Sequence, residues 1–143
     1  GDGYILIDNM GKTLTESKFK GAANFTSKDV TVARIEENYE EVYLLLDYNG
    51  KVVKQFEKPA PGTQKEQVLI KSGFNSGLAT ASWGIFGKMG AIDKTGKTII
   101  PFDFESIDAF ACERATAVKT DKTGMQIEGV IDTHGNFVII KSR

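Results

Sequence analysis

The sequence predicts an all-β fold, a tandem array of β-hairpin and meander repeats that is either solenoid-like or propeller-like. Three observations carry this expectation. One turn motif, Asp-x-x-Gly set between short apolar runs, occurs four times at near-regular spacing. The flanking runs are rich in Ile, Leu, Val, Thr and Tyr, the residues that suit a pleated, half-buried surface. No stretch shows the period of about 3.6 residues that marks an amphipathic helix.

The four copies lie near residues 4–14, 43–53, 89–101 and 128–140. They read Tyr4-Ile-Leu-Ile-Asp8-Asn-Met-Gly11, Tyr43-Leu-Leu-Leu-Asp47-Tyr-Asn-Gly50, Met89-Gly-Ala-Ile-Asp93-Lys-Thr-Gly96 and Glu128-Gly-Val-Ile-Asp132-Thr-His-Gly135. Spacings of 39, 46 and 39 residues between the aspartates fall in the range of propeller blades and solenoid repeats. Both Asp8 to Asp93 and Asp47 to Asp132 span 85 residues, so the halves overlay without a gap as a duplicated pair. That overlay sets Phe19 on Phe104 and Phe25 on Phe110, and recurring aromatics at matched places belong to a core. The extra residues between the pairs form an insertion loop near 57–67, Pro- and Gly-containing, within one domain of residues 1–143.

Each motif has a direct physical reading. The Asp carboxylate can accept hydrogen bonds from backbone N–H groups two and three residues on, and the Gly takes positive φ, closing a type I turn with a following bulge. A fifth such turn, Asp121-Lys-Thr-Gly124, joins Ala115–Thr120 to Met125–Ile131. The best helical candidate, 34–41, overlays on this fifth turn and is read as a turn too. A full unit then holds about three strands: one after Phe25, Phe74 or Phe110, one ending at the motif Asp, and one after the motif Gly. A single meander cannot bury its apolar face alone, so neighbouring units cover one another. Three full units and one partial unit result; the array either continues beyond this chain or closes on itself.

Composition sets the outer limits. At 143 residues folding can bury roughly 70% of the unfolded chain's surface, enough for a core without staples. A single cysteine, Cys112, excludes an intrachain disulfide framework. The net charge of −1, with both signs interspersed, excludes the basic footprint of a nucleic-acid binder. No apolar run approaches the roughly 20 residues of a membrane span. The chain opens on Gly-Asp, the appearance left by a removed signal peptide or a tag.

The stretch Phe74-Asn-Ser-Gly77-Leu-Ala79…Gly90-Ala-Ile-Asp93-Lys-Thr-Gly96-Lys-Thr-Ile-Ile-Pro101 resembles the WG-repeat family of bacterial β-repeats. The resemblance extends over nearly the whole chain and is strongest over 74–135. At the family's Trp position stand Tyr4, Tyr43, Met89 and Glu128, and the following Gly is kept as Gly90 and Gly129. The literal pair Trp83-Gly84 lies in the preceding strand and turn. The resemblance implies a β-repeat surface, no shared catalytic residues and a bacterial setting, and it supplies no substrate. An extracytoplasmic place, at the envelope or secreted, is the expectation.

Signals that suggest chemistry have plainer readings. Gly90…Gly96-Lys97-Thr98 holds five residues between its glycines where a phosphate loop has four, and a strand follows instead of a helix. Each motif turn offers one carboxylate, whereas a calcium cage takes roughly six to eight oxygen ligands. Glu36, Glu37, Glu40 and Glu41 read as a solvated turn, with a cation or partner patch as the alternative. His134 is the sole histidine and sits in a turn, so neither a zinc site nor a Ser-His-Asp constellation is expected. Cys112 reads as a small core residue. Asp103, Glu105 and Asp108 are the acids left for paired-carboxylate hydrolysis.

The binding candidates are the rings outside the repeat register: Tyr39, Tyr48, Trp83 and Phe86. Such rings stack on sugars or anchor protein partners, and partial burial at a unit interface accounts for them equally. The expectation is a non-catalytic binding or scaffolding module, with no cofactor and no metal, and an unidentified protein or glycan as partner. A carbohydrate-active or lectin-like domain and a structural spacer within a longer array are the alternatives.

Overall fold

The computed structural model describes residues 3–7, 10–15, 19–22, 29–37, 40–56, 67–84 and 87–142. Among these residues the regular structure is β, in three antiparallel sheets of four strands each, every sheet made of consecutive strands. Two compact units divide the chain, Gly1–Gln67 and Val68–Arg143.

The first unit contains β1 (Gly21–Ala22), β2 (Val30–Glu37), β3 (Glu40–Asp47) and β4 (Val52–Gln55). β2 and β3 pair in unbroken register from Val30↔Asp47 to Glu37↔Glu40. The helical candidate is therefore a hairpin, as the overlay requires. Val42, Leu44 and Leu46 alternate onto one face of β3 and pack with Phe19 and Ala33. Ahead of the sheet, copy 1 is a hairpin of isolated bridges, Tyr4↔Phe19 and Ile7↔Thr13, with Leu14 N–H donating to Leu6 C=O at 2.8 Å.

The second unit contains β5 (Val68–Ile70), β6 (Ala79–Trp83), β7 (Met89–Ile92), β8 (Thr98–Phe104), β9 (Ser106–Ile107), β10 (Ala115–Thr120), β11 (Gln126–Ile131) and β12 (Phe137–Ile140). Its core joins Ile100 and Phe104 of β8 to Ile107, Ala117 and Ile131 of the following sheet and to Phe110 in the β9–β10 connection. Full burial of an Ile or Phe side chain contributes about 1.5–3 kcal/mol each. Ile100, Phe104 and Ile131 are at most 1% exposed, so this seam between consecutive meanders is where the unit gains its stability.

Each sheet holds four strands where the sequence suggests three. The added member is the leading strand, β1, β5 or β9, only two or three residues long. So short a strand cannot display an alternating pattern.

The motif turns superpose in detail. In the four described copies, at Asp47, Asp93, Asp121 and Asp132, the carboxylate Oδ1 accepts from the N–H groups two and four residues on, at 2.8–3.0 Å. The second bond thus falls four residues on, not three. The N–H three residues on belongs to the Gly, which donates to the Asp main-chain carbonyl at 3.0–3.1 Å. Those glycines sit at φ +84° to +86°, where a Cβ would be strained. Asp8 lies outside the described residues, while its partner Gly11 has φ +83°.

After the turns at Asp47, Asp93 and Asp132 comes a bulge at one fixed place, whereas the β10–β11 hairpin at Asp121 pairs without a shift. Leu46↔Val52 is followed by Leu45↔Lys54, Ile92↔Thr98 by Ala91↔Ile100, and Ile131↔Phe137 by Val130↔Ile139. The residue six after the motif Asp (Val53, Ile99, Val138) is thereby skipped, which increases the twist of the strand.

Candidate functional site

Among the ring residues singled out by sequence, Tyr39 and Phe86 lie outside the described residues, as do Phe25 and the loop at 57–66. Tyr48 follows Asp47 in its turn and is exposed. Trp83 ends β6 and is 46% exposed. Its ring meets Phe102 of β8, with centroids 5.9 Å apart and planes tilted by 53°. Since β6 and β8 flank β7, the two rings reach each other over that strand.

Gly90 and Pro101 explain how Phe102 comes to lie there. Met89 pairs with Phe104 and Ala91 with Ile100, so residues 101–103 oppose Gly90 alone. Such a bulge is where a proline is tolerated in a sheet, and it re-aims the neighbouring side chain. The bulged main chain presses on Gly90: a Cβ there would stand 2.3 Å from the Ile100 carbonyl oxygen and 2.9 Å from Pro101. Gly129 is in the same position, with Ile139 O at 2.0 Å from a Cβ. The glycine that the family resemblance marks is a demand of the adjoining strand.

Beside the ring pair, Lys88 forms an ion pair with Glu105, and Thr120 Oγ1 donates to the same carboxylate at 3.0 Å. The hydrogen bond from Lys88, then that from Thr120, holds the Glu105 carboxyl below its ordinary range. A general acid for glycoside hydrolysis needs the opposite shift. Asp108 accepts from the Thr116 hydroxyl, and Asp103 is exposed on β8. Two of the three acids considered for paired-carboxylate work, Glu105 and Asp108, are thus tied to neighbouring Lys and Thr side chains. His134 donates its main-chain N–H to Asp132 at 2.9 Å. Among the described residues no group of three or more His, Cys, Asp or Glu side chains gathers to hold a metal.

Cys112 is exposed, not a core residue. It shares a two-residue hairpin turn with Glu113, at φ +50° and +60°, closed by the Ala111↔Arg114 bridge. The matching turn, Ser76 and Gly77 at φ +54° and +78°, sits in the preceding copy, and Ser76 Oγ accepts the Glu113 N–H at 2.9 Å. The acidic residues of the β2–β3 hairpin are partly neutralised: Lys20 lies 3.3 Å from Glu36 and Arg34 3.0 Å from Glu41.

Two apolar surfaces complete the survey. In the first unit a groove of about 430 Å³ opens over the core, between Leu14, Thr15, Phe19 and Leu46, Val52, Gln55. The 85-residue overlay turns Thr15 into Ile100 and Val52 into Phe137, whose ring packs 6.1 Å from Phe104. In the second unit larger side chains stand at both of these positions. At the end of the second unit, β12 is a sheet edge that exposes Val138, Ile139 and Ile140.

Compared with known families, residues 89–122 match the model described as WG containing repeat. That segment runs from Met89 through β8, β9 and β10 into the turn at Asp121, and it excludes the literal pair Trp83-Gly84. No match was found among curated proteins or among solved structures.

Proposed function

We propose, from the premise that the chain is a WG-repeat protein through its repeat at residues 89–122, that it is a non-catalytic binding or scaffolding module acting on a protein partner, in an extracytoplasmic bacterial setting. The observation that carries this reading is the Trp83–Phe102 pair. A large ring, half exposed and braced by a second ring on a rigid sheet, is the kind of anchor that dominates protein interfaces. The Glu105 carboxylate is tied into Lys88 and Thr120 contacts, and that of Asp108 to the Thr116 hydroxyl. The same ring pair supports a second reading, a lectin-like surface, because sugars stack on exposed indoles.

Trp83 is the only tryptophan, so its emission reports directly on this surface. Two assays separate the readings: titration of the chain with chito- and cello-oligosaccharides, and capture from an envelope fraction by wild type against Trp83→Ala. A protein retained by wild type and lost with Trp83→Ala, while the sugars leave the emission unchanged, is the expected result. A saturable emission shift with a sugar would replace the protein reading by the lectin one. Release of shorter sugars during the titration would sink the non-catalytic reading altogether.

A further inference from the structure

The groove of the first unit is bounded by side chains smaller than those at the matched places of the second. Its base is the buried trio Phe19, Leu44 and Leu46, Thr15 forms part of the wall, and Val52 and Gln55 stand exposed at the rim. Shifted by 85 residues, Thr15 becomes Ile100, Phe19 becomes Phe104, Leu46 becomes Ile131 and Val52 becomes Phe137.

The backbone sets Val52 and Phe137 alike. Val52 pairs with Leu46 just after the Asp47 turn, and Phe137 pairs with Ile131 just after the Asp132 turn, each beside the same bulge. Phe137 packs on the core that includes Ile100, Phe104 and Ile131, its ring 6.1 Å from that of Phe104. In the first unit the same register position carries Val52, 48% exposed, and a space of about 430 Å³ opens beside Phe19. That volume falls in the range of small-ligand pockets, roughly 300–1,000 Å³. Such pockets combine an apolar base with a few polar groups, and Gln55 adds an amide at the rim where the second unit has Ile140.

We propose that this groove binds a small aromatic molecule carrying one hydrogen-bonding group, of the phenol or indole class. Its ring lies against Phe19, as the Phe137 ring lies against Phe104, and its polar group meets the Gln55 amide. The occupant follows from the duplication: the chain itself sets a ring at this register position, on the matching base, in its other unit. Tilted or offset ring pairs at such separations are favourable beyond the area they bury. This goes beyond the binding reading and stands separately from it, since neither Trp83 nor Phe102 lines the groove.

The test is a titration of the full chain with p-cresol and with indole, followed by methyl NMR, on wild type, Val52→Phe, Thr15→Ile and Val53→Phe. Circular dichroism and a melting curve confirm the fold of each. Wild type is expected to show saturable, one-to-one shifts of the Leu44 and Leu46 methyl signals. Val52→Phe places a tethered ring in the groove and Thr15→Ile narrows it. Each is expected to weaken binding by roughly 10- to 100-fold, the equivalent of losing the burial of one ring. Thr15→Ile carries the test alone should Val52→Phe not fold. Val53→Phe adds the same ring at the skipped bulge residue, outside the groove, and is expected to bind as wild type does. A wild type without saturable shifts overturns the proposal. Undiminished binding in a folded Val52→Phe or Thr15→Ile overturns it too, as does an equal loss in Val53→Phe.

Discussion

Asp93 shows what a motif residue does for the fold. Its carboxylate holds the N–H groups of Thr95 and Lys97 and the Thr95 hydroxyl, all at 3.0 Å or less. Asp93→Ala should therefore cost about 1 kcal/mol, measured as a fall in the denaturant midpoint, the magnitude of a lost exposed cap. Gly90 is a different case, because the obstacle is main chain and cannot rotate away. Gly90→Ala should cost roughly 2–3 kcal/mol by forcing β8 away from β7. Gly124→Ala meets open space and should cost about 1 kcal/mol, from positive φ alone. Equal losses at the two glycines would show that the close approach of Pro101 carries no weight.

At the scale of elements, the hairpins were legible in the sequence because their chemistry is local: an Asp, a Gly and the main-chain N–H groups two, three and four residues after the Asp define the turn. The leading strands were not, since two or three residues carry no period and depend on neighbours supplied by the fold. Phe102 was hidden for a related reason: its half-buried placement against Trp83 goes with a bulge, and the one signal pointing there was Pro101 inside an apolar run. Residue type alone places Cys112 in the core. Setting Phe110-Ala-Cys-Glu-Arg-Ala115 beside Phe74-Asn-Ser-Gly-Leu-Ala79 would have placed it in a turn. The duplicated halves also make a prediction about elements. Val52→Phe carries the second unit's residue into the first unit's groove, against Phe19, and should raise the unfolding midpoint by up to ~1 kcal/mol in stability. A lower midpoint would mean that the groove is not the counterpart of the Phe104–Phe137 contact.

For the whole molecule, acid is the condition that tests the turns together. At Asp93 burial acts to raise the carboxyl, but the hydrogen bonds from Thr95 and Lys97 outweigh it and leave it below its ordinary value. Asp132 is lowered by the N–H bonds of Asn136 and His134, and Glu105 by Lys88. A carboxyl lowered on folding stabilises the native state above its unfolded pKa, around 4, and that contribution fades as pH falls through the lower folded value. Thermal midpoints should hold from neutrality down to about pH 5 and then decline. A decline of the same size already present at pH 6 would point to a group other than these. The fold class and repeat could be read from sequence because copies repeat the same local solution. What each exposed surface receives could not, because exposure is decided by which copy comes next.

The sequential strand order also bears on how the chain acquires its structure during synthesis. Every sheet is complete before the first strand of the next has been made, and no strand waits for a partner from a distant part of the chain. Loop-closure entropy therefore stays small at each step, a condition that favours rapid formation among β proteins. As the polypeptide leaves the ribosome, each meander can settle in order, and in the second unit β9–β12 finds the apolar flank of β5–β8 already formed.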